Sequence, residues 1–234
     1  MNRKGWIGCI ALVLLLACAP TASADPLTPY TLFEWTFNVD GVVYDSFSDP
    51  WPFLAPPPPA DGGTWAFSTS ISGAGAHNFH AFLDYEIDET LNGFSNEYGA
   101  AIGVPGAGLS WEIDEPGWVF GDIWTNVTSA SLDNSNGVPG SPDDDPSIAF
   151  GWNFALESWQ TALITLNVSP TAPGSSFYLG QYDPDSGNNL YFSTSMDITG
   201  DPPVGVPEPG SALLLLAGLG AGGVARKLNR RNQN

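Results

Sequence analysis

The chain has 234 residues with 27 Gly and 21 Pro, and a formal net charge of −19 at neutral pH. Its six basic residues sit at the two ends, Arg3 and Lys4 at one and Arg226, Lys227, Arg230 and Arg231 at the other, while all 25 acids fall between Asp25 and Glu208. A body without Lys or Arg excludes nucleic-acid binding by phosphate neutralisation, and it excludes a basic side chain as the clamp on a phosphate or carboxylate substrate.

In chain order, Arg3 and Lys4 precede an apolar run from Ile7 to Ala17, and Ala22-Ser23-Ala24 supplies small residues for cleavage. This predicts a signal peptide over 1–24, handled by the Sec machinery and cut by signal peptidase. Leu15-Leu16-Ala17-Cys18 is close to a lipoprotein signal, but Leu16 fits that pattern poorly. Cys9 and Cys18 both fall in this segment, so the mature chain is expected to have no disulfide, thiolate metal site or catalytic Cys. Residues 25–200 form one domain's worth of chain, large enough to rely on its core.

Period-two patterns run through that domain. Phe33, Trp35, Phe37 and Val39 alternate with Glu34, Thr36 and Asn38, and Asp40-Gly41 then leads into Val42-Val43-Tyr44, a tight type I′ hairpin signal. Residues 49–63, with Trp51-Pro52 and Pro56 to Pro59, read as a polyproline-like surface loop. Strands follow at Trp65–Ile71 and Phe79–Ile87, the latter with His80, Asp84, Glu86 and Asp88 on its polar face. Further strands are expected at Tyr98–Ile102, Leu109–Ile113, Ile148–Phe154, Ala162–Val168, Phe177–Tyr182 and Tyr191–Ile198, with weaker ones at Val119–Trp124 and Val127–Leu132. Asp133–Pro146 reads as an exposed loop. About ten short strands with turn signals between them predict an all-β, two-sheet antiparallel β-sandwich, jelly-roll-like. Residues 201–205 make a Pro/Gly linker.

Candidate sites are few. Asp183, Asp185 and Asn189 stand at alternate positions in a turn with Gly187, and calcium is the cation that such oxygens would take. Asp-Pro and Ser-Gly are equally ordinary turn formers. Asp143, Asp144 and Asp145 read as a solvated block. Asp84, Glu86 and Asp88, and likewise Glu112 and Asp114, read as solvent faces of acidic strands rather than as a glycosidase pair. The odd separation of His77 and His80 puts them on opposite strand faces, one a loop residue and the other a surface residue. No catalytic residue is assigned. Most of the eight Trp after residue 25 fall on apolar phases and read as core; Trp51, Trp118 and Trp159 do not place easily, and exposed rings would stack on sugars.

The last stretch combines Val206-Pro207-Glu208-Pro209, an uncharged run over about 210–225, and the Arg/Lys end. The run is short for a spanning helix, but Arg226 and Lys227 extend it by snorkelling, and the basic end stays cytoplasmic. These three parts, in this order, resemble the PEP-CTERM sorting signal of Gram-negative bacteria over residues 206–234. The segment from Gly151-Trp-Asn-Phe to Tyr191-Phe-Ser resembles a recurring part of other PEP-CTERM proteins that has no assigned activity. The resemblance implies an exported precursor held in the inner membrane by the C-terminal helix and cut near the motif by exosortase, then released to the cell surface or an extracellular matrix. The expected role is non-enzymatic, structural or adhesive in the envelope and its exopolysaccharide. The alternatives are a calcium-dependent, lectin-like module binding extracellular polysaccharide and, more weakly, a secreted glycoside hydrolase.

Overall fold

Asp40 and Gly41 both take positive φ, 52° and 82°. Those are the angles that a two-residue hairpin matched to strand twist requires, and Gly41 adopts its angle without a Cβ clash. The turn joins β1 (Tyr30–Val39) to β2 (Val42–Asp45), and the Gly41 amide donates to Asn38 Oδ1 at 3.0 Å. The computed structural model describes residues 29–56, 64–93, 95–117, 119–140, 144–174 and 176–202. The expected signal peptide, the linker from 203 on, the sorting motif, the C-terminal helix, Asp143 and Trp118 lie outside them.

Eight further strands follow: β3 (Trp65–Ser72), β4 (Gly75–Ile87), β5 (Tyr98–Ile102), β6 (Leu109–Asp114), β7 (Ser147–Leu156), β8 (Thr161–Ser169), β9 (Tyr178–Tyr182) and β10 (Asn189–Thr199). They form two five-stranded sheets, ordered β2-β1-β4-β7-β6 and β3-β8-β10-β9-β5, and every strand pair is antiparallel. The pair β3–β8 in one sheet encloses β4–β7 in the other along the chain, the nested wrapping of a jelly roll. The inner faces meet in one core. Phe37, Phe67 and Phe79 come from the sheets, and Trp51 and Phe53 close its edge. Phe37 and Phe53 meet edge to face at 4.8 Å, and Trp51 stands perpendicular to Phe37 at 5.3 Å. The loop that begins at Asp49 is therefore no free surface loop. Its first residues turn two aromatic rings inward, and Trp51 Nε1 donates to the Ala55 carbonyl.

Three expectations need correction. Phe33 is not on the buried phase of β1: the register shifts between Leu32 and Glu34, a bulge that turns Phe33 outward to 55 % exposure. The weak strands expected at Val119–Trp124 and Val127–Leu132 are instead a turn and a short helix, α2 (Ile123–Thr128), which follows the single-turn α1 (Glu89–Asn92) in the chain. Ile123 and Val127 lie one helical turn apart and are both buried. Nor is 133–146 simply exposed, because Val138 joins the main core and Asn136 donates to the Gly99 carbonyl at 2.8 Å. The first part of the connection from β6 to β7, through α2 to Leu132, lies on the outer face of the first sheet. There Ile123, Val127 and Leu132 pack with Phe82 and Ala149 into a second, smaller core.

Candidate functional site

The α2 segment buries what would otherwise be the solvent face of β1, β4, β7 and β6. The side chains beneath it run in register across the four strands. One row holds Asn38, His80, Gly151 and Ser110; the next holds Thr36, Phe82, Ala149 and Glu112. A third brings Glu34 beside Asp84 and Asp114 beside Ser147, with the Ser147 hydroxyl donating to Asp84 at 2.7 Å. Glu34, Asp84 and Glu112 are each 1 % exposed and Glu86 is 6 % exposed. The reading of Asp84, Glu86 and Glu112 as a solvated acidic face is therefore wrong. So is that of His80 as a surface residue, since its ring is fully buried and neither nitrogen has a protein partner.

Burial without cations governs the chemistry here. Loss of solvent pushes the Asp84 carboxyl up to about 7, opposed by the Ser147 hydrogen bond and reinforced by Glu34. Burial, then the charges of Asp145 and Asp84, raise Glu86 to about 9. Burial raises Asp145 to about 7, with Asp84 beside it. Glu97 goes to about 8, mainly through burial, although Gln181 and the Ile87 amide both donate to it. Burial takes His80 down to about 4, so its imidazole is neutral. The block of three consecutive acids therefore does not behave as one solvated unit: Asp145 faces Asp84 and Glu86.

Two groups of carboxylates converge closely enough to share a cation. Asp84, Glu86 and Asp145 each place an oxygen within 4.8 Å of the others, as do Glu112, Asp114 and Asp122. In the second group Asn126 donates to both Glu112 and Asp122, and the Asp122 amide donates to Asp114. Glu112 rises to about 7 through burial, against the donation from Asn126. Hard divalent cations take such oxygen sets, and one bound there would favour the ionised forms of the raised carboxyls Asp84, Glu86, Asp145 and Glu112.

The expected calcium residues are arranged differently. Asp183 is buried and receives five hydrogen bonds, from Asn92, Asn96, the Ser186 hydroxyl and the amides of Asp185 and Ser186. Burial alone would raise its pKa, but these donors together hold it below the usual carboxylate value. It organises the turn into β10. Asp185 contributes its amide to that turn, and Asn189 donates weakly to the Gly187 carbonyl and accepts from the Tyr30 hydroxyl through its own carbonyl. The sequence reading did not find Asp145, Glu97, Asn92 or Asn96 as partners in these networks. The one usable signal was the i,i+4 spacing of Ile123 and Val127, which marks a helix able to cover the acidic face.

Among the described residues no helix is long and apolar enough to cross a membrane. Residues 205–231 match the PEP-CTERM protein-sorting motif. No curated protein and no solved structure matches the chain.

Proposed function

We propose, from the premise that this chain carries a PEP-CTERM sorting motif and is an exported, exosortase-processed protein, that its β-sandwich serves as a structural or adhesive unit at the cell surface or in the surrounding matrix. The motif at 205–231 is the observation that carries the reading. Pro-Glu-Pro, at 207–209, marks in this reading the segment that the protease recognises. In this reading signal peptidase removes 1–24, the run over about 210–225 holds the precursor in the inner membrane, and exosortase frees the domain.

The non-enzymatic assignment is supported by the way the acids are held. Asp84 and Glu112 are 1 % exposed and Glu86 6 %, so a polymeric substrate does not reach them in the folded domain. A glycosidase needs its two carboxyls to flank an open bond. The test is fractionation of cells producing the full-length chain, with and without exosortase. The reading expects a shortened product outside the inner membrane only when exosortase is present. Identical size and location in both strains would refute it.

A further inference from the structure

The outer face of the second sheet differs from the rest of this acidic molecule. On β3, β8, β10, β9 and β5 the outward positions are mostly Ser, Thr, Asn, Tyr and small apolar residues, among them Ser68, Ser70, Thr165, Asn167, Ser193 and Ser195, with Leu163 and Ile102 as the larger apolar ones. A single carboxylate, Asp197, stands on these strands. With 25 acids in the chain and no Lys or Arg between Lys4 and Arg226, a sheet face with a single carboxylate is the exception.

At one end of that face four tyrosines form a continuous patch. Tyr98 and Tyr182 are opposite each other on β5 and β9 and stack at 5.0 Å with an interplanar angle of 15°. Tyr191 meets Tyr182 at 5.9 Å and Tyr178 at 5.7 Å, edge to face in both cases. All four rings are half-buried, and they alternate along β9 and β10 with the buried Leu179, Gln181, Leu190 and Phe192 that face inward. Gly180 makes the arrangement possible. A Cβ there would lie 2.5 Å from the Tyr182 hydroxyl oxygen, so the ring rests across the strand where a side chain would stand. Burial also pushes the Tyr182 hydroxyl up to about 12, so it remains a donor at any physiological pH.

We infer that the Tyr98–Tyr178–Tyr182–Tyr191 face of the second sheet binds a neutral polysaccharide chain, by stacking of sugar rings on the tyrosines with hydroxyl contacts to the neighbouring Ser, Thr and Asn side chains. Amphipathic rings on a rigid sheet suit a ligand with apolar ring faces and polar edges. Charge selects among the other occupants. A nucleic acid would also stack on aromatics, but its phosphates find no cation here. A membrane surface with anionic lipid is repelled for the same reason. A second copy of the chain brings the same large negative charge. A neutral glycan has no such penalty, and it meets the one face that the acids leave clear. Among the described residues no carboxylate lies between the four rings, so this binding needs no divalent cation. The inference deepens the adhesive part of the proposed function but does not depend on sorting, because binding is measured on purified protein.

The test is affinity electrophoresis of the full-length chain in mild detergent, through gels containing dextran, mixed-linkage β-glucan or alginate, each with calcium or with EDTA. Retardation is expected in at least one neutral polysaccharide and not in alginate, and it is expected to persist in EDTA. Tyr182→Ala and Tyr98→Ala should each weaken it by about two- to tenfold, while Trp159→Ala should not change it. Tyr98 is on an edge strand, so that variant keeps the test decisive if Tyr182→Ala does not fold. Absence of retardation in every neutral gel, retardation lost on chelation, equal retardation in alginate, or unaltered binding by folded tyrosine variants would overturn the inference. So would a dimer in sedimentation that the tyrosine variants dissociate.

Discussion

At the scale of single residues, the protein keeps protons where water would remove them. Asp84, Glu86, Glu97, Glu112 and Asp145 are all raised, to between about 7 and about 9, chiefly by burial. In the unfolded chain these groups ionise in the usual carboxylate range, so above it the folded state binds more protons than the unfolded one. Their contribution is full at pH values below that range and is lost as pH rises through the folded values. His80 works in the opposite sense. The unfolded imidazole takes a proton below about 6.5, the folded one only near 4, so its contribution is lost as pH falls between them. Asp183 likewise loses its stabilising bonds once the pH falls below the usual carboxylate range. Five carboxyls outweigh one imidazole. The melting temperature should therefore be higher at pH 5.5 than at pH 8, by on the order of 5 °C, and scanning calorimetry across that range checks it. Asp84→Asn keeps an acceptor for Ser147 without the charge. It should stabilise the fold at pH 8 by roughly 1–2 kcal/mol and flatten the pH profile, as read by chemical denaturation at the two pH values.

At the scale of elements, α2 decides what the acidic face is. Ile123→Ala removes a fully buried side chain from the small core over Phe82 and Ala149 and should cost about 2–5 kcal/mol. Because it loosens the cover, hydrogen exchange in β4 should rise around Phe82 and Asp84 while β8 stays protected. The β1–β2 turn gives a second check: Gly41→Val places a β-branched residue at φ 82° and should cost about 1–2 kcal/mol, seen as a lower denaturation midpoint. Much of this architecture was legible in the sequence, because strands that bury one face write that face into every second residue. Trp65, Phe67 and Ile71, or Ile164, Leu166 and Val168, do so plainly, and Asp40-Gly41 marked its turn through backbone preference. The acidic face of β4 was not legible. The alternation of Asp84 and Glu86 with Leu83 and Tyr85 looks the same whether water or a helix lies over it. What covers the face comes from residues more than 30 positions away, and six residues of helix give too short a pattern to stand out. The bulge at Leu32–Glu34 was hidden for a related reason, since one inserted residue reverses the phase without any local signal.

At the scale of the whole molecule, charge and destination belong together. A body with no Lys or Arg has to find its counter-charge in protons, in backbone and amide donors such as those around Asp183, or in cations from solution. An exported protein meets divalent cations in its surroundings. Added calcium should therefore raise the melting temperature at pH 8, where fewer of the raised carboxyls Asp84, Glu86, Asp145 and Glu112 hold a proton that the cation must displace, and by less at pH 5.5. EDTA should reverse the rise; an unchanged melt at both pH values would remove cations from the account. In the proposed reading the two ends carry the transport information, so sorting should tolerate changes in the domain that leave it folded. The most direct measurement is mass spectrometry of the chain recovered from outside the inner membrane of an exosortase-containing host. The account predicts a polypeptide beginning at Asp25 and ending near residues 206–209. Recovery from that fraction of an intact chain, still carrying Arg230 and Arg231, would contradict it.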